Sequence, residues 1–222
     1  MEIAELKATE TIESTHPAVL RFTSIHAGGA SDEVEQAVSL FYAVRDGFRY
    51  DPYQIDLTIP GMKASTTLEV KHGWCVSKAV LLAACCRSVG IPARLGFADV
   101  RNHLSTERMR QRMRTDIFYW HGYTDLLLEG KWVKATAAFN IELCEKFGLL
   151  PLEFDGRNDS LYHPFDAIGN RHMEYVKHRG TFPDLPIEEI IRTFRQEYGF
   201  GERKPEPNAV SFDEDVDRET GR

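Results

Sequence analysis

Lys71-His72-Gly73-Trp74-Cys75-Val76-Ser77-Lys78-Ala79-Val80-Leu81-Leu82-Ala83-Ala84-Cys85-Cys86 is the stretch from which the rest of the chain is read. A loop carrying a glycine turns here into an apolar run of helical length. The run stops at Val89-Gly90-Ile91-Pro92, where Gly90 suits a left-handed cap and Pro92 cannot continue a helix. Cys75, Ala79, Leu82 and Cys86 recur at helical spacing, so Cys75 begins a stripe that points inward. A thiol in the first helical turn meets unpaired backbone N–H groups and the positive end of the helix dipole, and both favour the thiolate. The same N–H groups can stabilise an oxyanion on an attacked carbonyl. Free cysteine is otherwise a small buried hydrophobe, and that is the reading for Cys85, Cys86 and Cys144.

Downstream of this run, residues 93–100 read as a strand with Leu95 and Phe97 on one face. Residues 101–114 are basic and read as a solvated loop or short helix, with a lid or a site for an acidic group as the functional alternative. Residues 117–128 and 131–135 form a hairpin across Glu129-Gly130. A two-residue loop sets Leu128 opposite Lys131 and Asp125 opposite Lys134. Continued, the count sets Tyr123 opposite Thr136 and His121 opposite Ala138, which places Thr136 one diagonal step from His121.

Upstream, residues 18–23 read as an edge strand. Ser31 reads as the N-cap of a helix that runs to about residue 46 and ends at Gly47. Residues 48–58 are aromatic and turn-rich, with Tyr50 and Tyr53 as candidate walls of a cleft. Residues 65–70 lead to Cys75 as a short helix or loop. Towards the C-terminus, residues 141–147 read as a short helix ended by Gly148 and residues 151–170 as loop. Residues 186–198 read as a helix, with Ile187, Ile190, Ile191 and Phe194 at helical spacing. Residues 199–222, charged and poor in apolar side chains, read as a disordered tail.

The 222 residues suffice for one substantial core, and the net charge of −7 argues against nucleic acid or an anionic membrane as partner. No run approaches the length of a membrane span, and the first residues carry no basic, apolar leader. Four cysteines, two of them adjacent, make no disulfide framework, so a reducing cytoplasm is expected. His72 and Cys75 have a His-x-x-Cys spacing, but no second pair follows at zinc spacing, so no metal is expected. No glycine-rich phosphate loop follows a strand, and no cofactor is expected.

Gly73-Trp74-Cys75, Gly90-Ile91-Pro92-Ala93-Arg94, Trp120-His121-Gly122 and Gly130-Lys131-Trp132-Val133, in this order and spacing, resemble the transglutaminase-like domain family over about residues 60–145. The resemblance implies an α+β, papain-like fold in which the helix bearing Cys75 packs on an antiparallel sheet bearing His121. It implies a Cys–His–Asp triad with Cys75 as nucleophile and His121 as base. The family's aspartate falls on Thr136, whose hydroxyl can accept an imidazole N–H but supplies no charge. Asn140 is a second orienting candidate, Trp74 stands as an orienting or oxyanion group, and Asp99, Asn102 and Asp166 stay open.

The domain plan is an N-terminal segment with one helix (1–59), the core (60–145), a C-terminal extension with one helix (146–200) and the tail (201–222). The expected activity is cysteine-dependent acyl transfer or hydrolysis at an amide bond, through a thioester on Cys75, with a peptide, protein or small amide as substrate. The alternative is a degenerate domain of the same fold that binds without turnover.

Overall fold

The Cys75 run forms α4 (Cys75–Ser88), and all of its residues up to Arg87 are buried. A helix apolar on every side must be wrapped. In this computed structural model, which describes residues 3–102, 105–162, 173–200 and 210–221, helices cover α4 on one side and a sheet on the other. The helix stops as its sequence dictates. Gly90 takes φ +84°, and Ile91 N–H donates back to the Cys86 carbonyl at 3.0 Å.

The helical cover is α1 (Pro17–Ala27), α2 (Glu33–Gly47) and α3 (Ala64–Val70). The expected edge strand at 18–23 is therefore a helix, and the segment before residue 60 holds two helices rather than one. Pro17 occupies the first turn, the His16 ring accepts from Ala18 N–H at 3.2 Å, and Val19, Thr23 and Ala27 are buried at a spacing of four. α2 is capped by Asp32, one residue after the expected Ser31, with the carboxylate accepting from Glu35 N–H at 2.9 Å. β1 (Arg49–Tyr50) and β2 (His72–Gly73) form a short parallel pair just ahead of Cys75.

The main sheet is antiparallel, ordered β5-β4-β3-β6, from β3 (Ala93–Asn102), β4 (Ile117–Leu128), β5 (Lys131–Ala135) and β6 (Met173–Phe182). Glu129 and Gly130 take φ +49° and +78°, a two-residue turn with the twist of the strands it joins. The register is the expected one from Leu128↔Lys131 to Asp125↔Lys134, but pairing ends at Thr124↔Ala135. The chain then leaves β4 for Ser160, with Thr136 N–H on the Ser160 carbonyl at 3.1 Å. The pairs expected beyond it, Tyr123 with Thr136 and His121 with Ala138, do not form.

Two features depart from the domain plan, β6 and the tail. β6 joins the core sheet beside β3, so residues 146–200 supply part of the core rather than an appendage. α5 (Glu107–Met113), α6 (Ile141–Phe147) and α7 (Ile187–Tyr198) stand around the sheet and α4. The tail is not wholly disordered, because residues 212–220 form α8 (Phe212–Thr220). Ser211 and Glu214 close a capping box, Phe212 and Val216 are buried, and Asp215 accepts from the Tyr53 hydroxyl at 2.9 Å. Residues 201–209, where the rest of that tail falls, lie outside the described residues. Among the described residues no helix is long and apolar enough to cross a membrane.

Candidate active site

Cys75 is the first residue of α4, as its position before the apolar run requires. Backbone N–H groups of Gly122, of Val76 and of Cys75 itself lie near its thiol and lower its pKa. Burial is the larger influence and pushes the thiol up to about 12. The helix start alone led to the expectation of a thiolate in the resting protein, and enclosure in an apolar site reverses it. Cys85, also pushed up to about 12 by burial, is no less acidic. What sets Cys75 apart is therefore its company.

That company comes from β4. Gly122 lies so close to α4 that a Cβ on it would stand 3.1 Å from Cα and Cγ2 of Val76. A side chain there would press on the helix, so glycine suits this close approach of strand and helix. His121 precedes it and is 3% exposed. Just before His121 the strand carries one extra residue: Ala98 pairs with His121 but Val100 with Phe118. Trp120 absorbs the bulge at φ +60°, a conformation uncommon for a side chain of its size.

Three bonds hold this kink. Asp99 Oδ1 accepts from Trp120 N–H at 3.1 Å and from Arg179 Nε at 2.5 Å, and the Trp120 indole N–H donates to Thr193 Oγ1 at 2.9 Å. The Arg179 guanidinium also lies 4.6 Å from the Trp120 ring centre. The His121 ring packs against Tyr162 at 5.2 Å, and Tyr162 against Phe139 at 4.9 Å.

Cys75 and His121 open into one cavity of about 60 Å³. Tyr50 and Tyr53 are among its walls, as expected of them. Met109, Arg112 and Met113 of α5 and Phe194 and Tyr198 of α7 complete most of the enclosure. The basic stretch thus divides. Arg112 reaches the cavity, whereas Arg101 pairs with Asp116, Arg108 with Asp215 and Arg110 with Glu107. His103 of that stretch lies outside the described residues.

The remaining candidates are placed as follows. Trp74 lines the cavity, and its indole N–H is buried without a hydrogen-bond partner among the described residues. Among those residues neither Thr136 nor Asn140 lines the cavity. Thr136 is buried, and its hydroxyl has no partner among them. The Asn140 amide oxygen accepts from Tyr50 N–H at 3.0 Å and its NH₂ donates to Glu142 at 2.7 Å, so this amide serves the neighbouring backbone and α6. Asp99 holds the bulge, Asn102 ends β3, and Asp166 lies outside the described residues.

Lys78 was missed. It is fully buried one turn after Cys75, and its ammonium donates to the carbonyls of Arg45 at 2.8 Å, Phe48 at 2.6 Å and Ala138 at 2.7 Å. It ties α4 to the end of α2 and to the segment holding Thr136 and Asn140. A lone charge inside an otherwise uncharged run was the available signal, since a buried ammonium requires acceptors. The roles of Tyr162 and Gly122 also emerge only from the structure. Among the described residues no group of three or more His, Cys, Asp or Glu is placed to hold a metal ion.

Solved structures overlap parts of this architecture. A candidate cysteine protease from Cytophaga hutchinsonii is 16% identical, with 60% of this chain and 40% of that chain covered at a TM-score of 0.47. An arylamine N-acetyltransferase from Mycobacterium abscessus is 14% identical, with 60% of this chain and 46% of that chain covered at 0.41. A red sea bream transglutaminase is 16% identical, with 95% of this chain and 40% of that chain covered at 0.37. The chain matches less than half the length of each, and scores this low settle nothing further. No curated protein sequence matches the chain. The family model of the transglutaminase-like superfamily matches residues 22–137, more than half of the sequence and every element from α2 to β5. By that match the chain belongs to the transglutaminase-like superfamily.

Proposed function

We propose that the chain is an enzyme that forms a thioester on Cys75 and passes the acyl group to water or to an amine, acting on an amide or a related acyl donor. The observation that carries this reading is the shared cavity: a helix-start cysteine and a strand histidine line it together. Because burial keeps the resting thiol protonated, His121 acts as general base during attack rather than as one half of a standing ion pair. The Trp74 indole N–H and the N–H groups at the start of α4 are the candidate oxyanion donors. Thr136 is the proposed orienting group, because its hydroxyl is unspent among the described residues, with Asn140 the weaker choice given the bonds its amide already makes. The substrate is a peptide, a protein side chain or a small amide. Free, buried cysteines suit a reducing cytoplasm.

The second reading is a binding domain that kept the fold, and burial of the Cys75 thiol, which disfavours the thiolate, is the observation in its favour. An acyl probe that traps a thioester separates the two. Labelling at Cys75 that disappears in His121→Ala supports the enzyme. No adduct at Cys75 under any acyl donor leaves the binding domain.

A further inference from the structure

We propose, resting on acyl transfer at Cys75, that the cavity receives a short apolar acyl tail of about two to four carbons. Its size gives the first argument. About 60 Å³ is several times what one water needs, and well under half of the roughly 150 Å³ that encloses benzene. A peptide segment or long acyl chain would have to extend beyond that space.

The second argument is the chemistry of the walls. Two of the four tyrosines in the walls, Tyr53 and Tyr198, spend their hydroxyls on groups outside the cavity. The Tyr198 hydroxyl donates to the Ile117 carbonyl at 3.1 Å and accepts from Tyr119 N–H at 2.7 Å. The Tyr53 hydroxyl joins Asp215 at 2.9 Å and Thr106 at 2.5 Å. Met109, Met113 and Phe194 add no strong polar group. Arg112 is half-buried, with its guanidinium over the Tyr53 ring at 5.3 Å. A charged or amide-bearing tail would give up its hydration for apolar walls, and an alkyl tail would not.

The step balances within the chain. Cys75 Sγ bonds to the acyl carbonyl carbon as His121 takes the thiol proton. The bond to the leaving group breaks, and that group receives the proton from His121. The thioester remains with its tail in the cavity until water or an amine takes the acyl group.

The test uses the full chain with p-nitrophenyl acetate, butyrate and hexanoate, the p-nitrophenyl monoester of succinate, and a glutaminyl peptide. Nitrophenol or ammonia release is read against Cys75→Ser, with the adduct mapped by mass. Two added methylenes should make butyrate roughly fifteenfold faster than acetate, at about fourfold per buried methylene. Hexanoate should fall off, and succinate should be slower than butyrate by at least an order of magnitude. Met113→Ala and, independently, Phe194→Leu should move the optimum towards hexanoate. A rate flat in chain length, or fastest with succinate or the glutaminyl peptide, overturns the short-tail pocket while acyl transfer at Cys75 stands. No adduct on Cys75 with any donor overturns both.

Discussion

The backbone N–H of Gly122 lies beside the Cys75 thiol and favours its thiolate, so the residue after the proposed base acts on the proposed nucleophile. The contact depends on a missing side chain. Gly122→Ala would drive a methyl to 3.1 Å from the Val76 backbone and side chain. Overpacking of this kind costs about 1–3 kcal/mol. The urea midpoint should fall accordingly, and acylation of Cys75 should fall by roughly tenfold or more, the equivalent of about 1.4 kcal/mol. Acylation at the parent rate would show that the strand–helix approach does not matter to the thiol.

Asp99 acts on His121 through the Trp120 bulge. Asp99→Ala would leave the Trp120 N–H buried and unpaired and would release Arg179. An orphaned donor costs about 1–3 kcal/mol. Relaxation of the bulge should re-aim His121, so Cys75 acylation should drop while the far-UV spectrum is kept. Asp99→Asn, which retains an acceptor for Trp120, should recover part of the rate. Equal loss in both variants would point to the Arg179 ion pair instead.

Lys78 makes stability depend on pH. Burial pulls its pKa down to about 7, whereas in the unfolded chain it lies near 10.4. Between these values the unfolded chain binds more protons, so this residue makes stability rise as pH climbs from about 7 to about 10.4. The buried thiols, raised on folding, act in the opposite direction in alkali. The difference between parent and Lys78→Met unfolding curves isolates the lysine. Three carbonyls facing three ammonium protons oppose the effect of burial. A difference that is constant across the window would mean that those bonds win.

Removal of the chain beyond Lys204 takes away α8 and with it the burial of Phe212 and Val216. Each such side chain contributes about 1.5–3 kcal/mol when buried. At about 2–4 °C per kcal/mol for a domain of this size, Tm should fall by roughly 10 °C. A calorimetric Tm within a degree of the parent would show that α8 does not dock in solution.

Thr136 tests the third role. If its hydroxyl orients His121, Thr136→Val should slow Cys75 acylation by roughly tenfold, and Thr136→Asp should widen the pH range of reaction. A harmless valine with an inert aspartate would leave Thr136 a packing residue.

How much of this was legible follows from which signals are local. The Cys75 helix showed itself by period and stop residues, and the hairpin by Glu129-Gly130, because those rules act within a few residues. The ladder beyond Ala135 was misjudged because Ser160, distant in sequence, competes for the backbone of Thr136. The α1 sequence reads as a strand because Ala18-Val19-Leu20 outweighs the quieter cap at His16-Pro17. β6 went unseen because an edge strand with solvent on much of both faces carries no alternation. α8 was hidden by its charge, although Ser211 and Glu214 spell a capping box. At the site, Cys75 and His121 came from motif order, whereas the enclosure from α5 and α7 had no local signature. That enclosure is what reversed the expected acidity of the thiol.

The position of β3 bears on how the protein is made. β3 ends at Asn102 and its second neighbour β6 begins at Met173, about seventy residues later on the ribosome. Until then β3 has only β4 beside it, and its other edge offers unpaired N–H and C=O groups to any extended chain nearby. Phe194 and Tyr198, which enclose Cys75, emerge later still. During synthesis the thiol is therefore more exposed than in the finished fold, and the nascent chain is the form most open to an electrophile or to a chaperone.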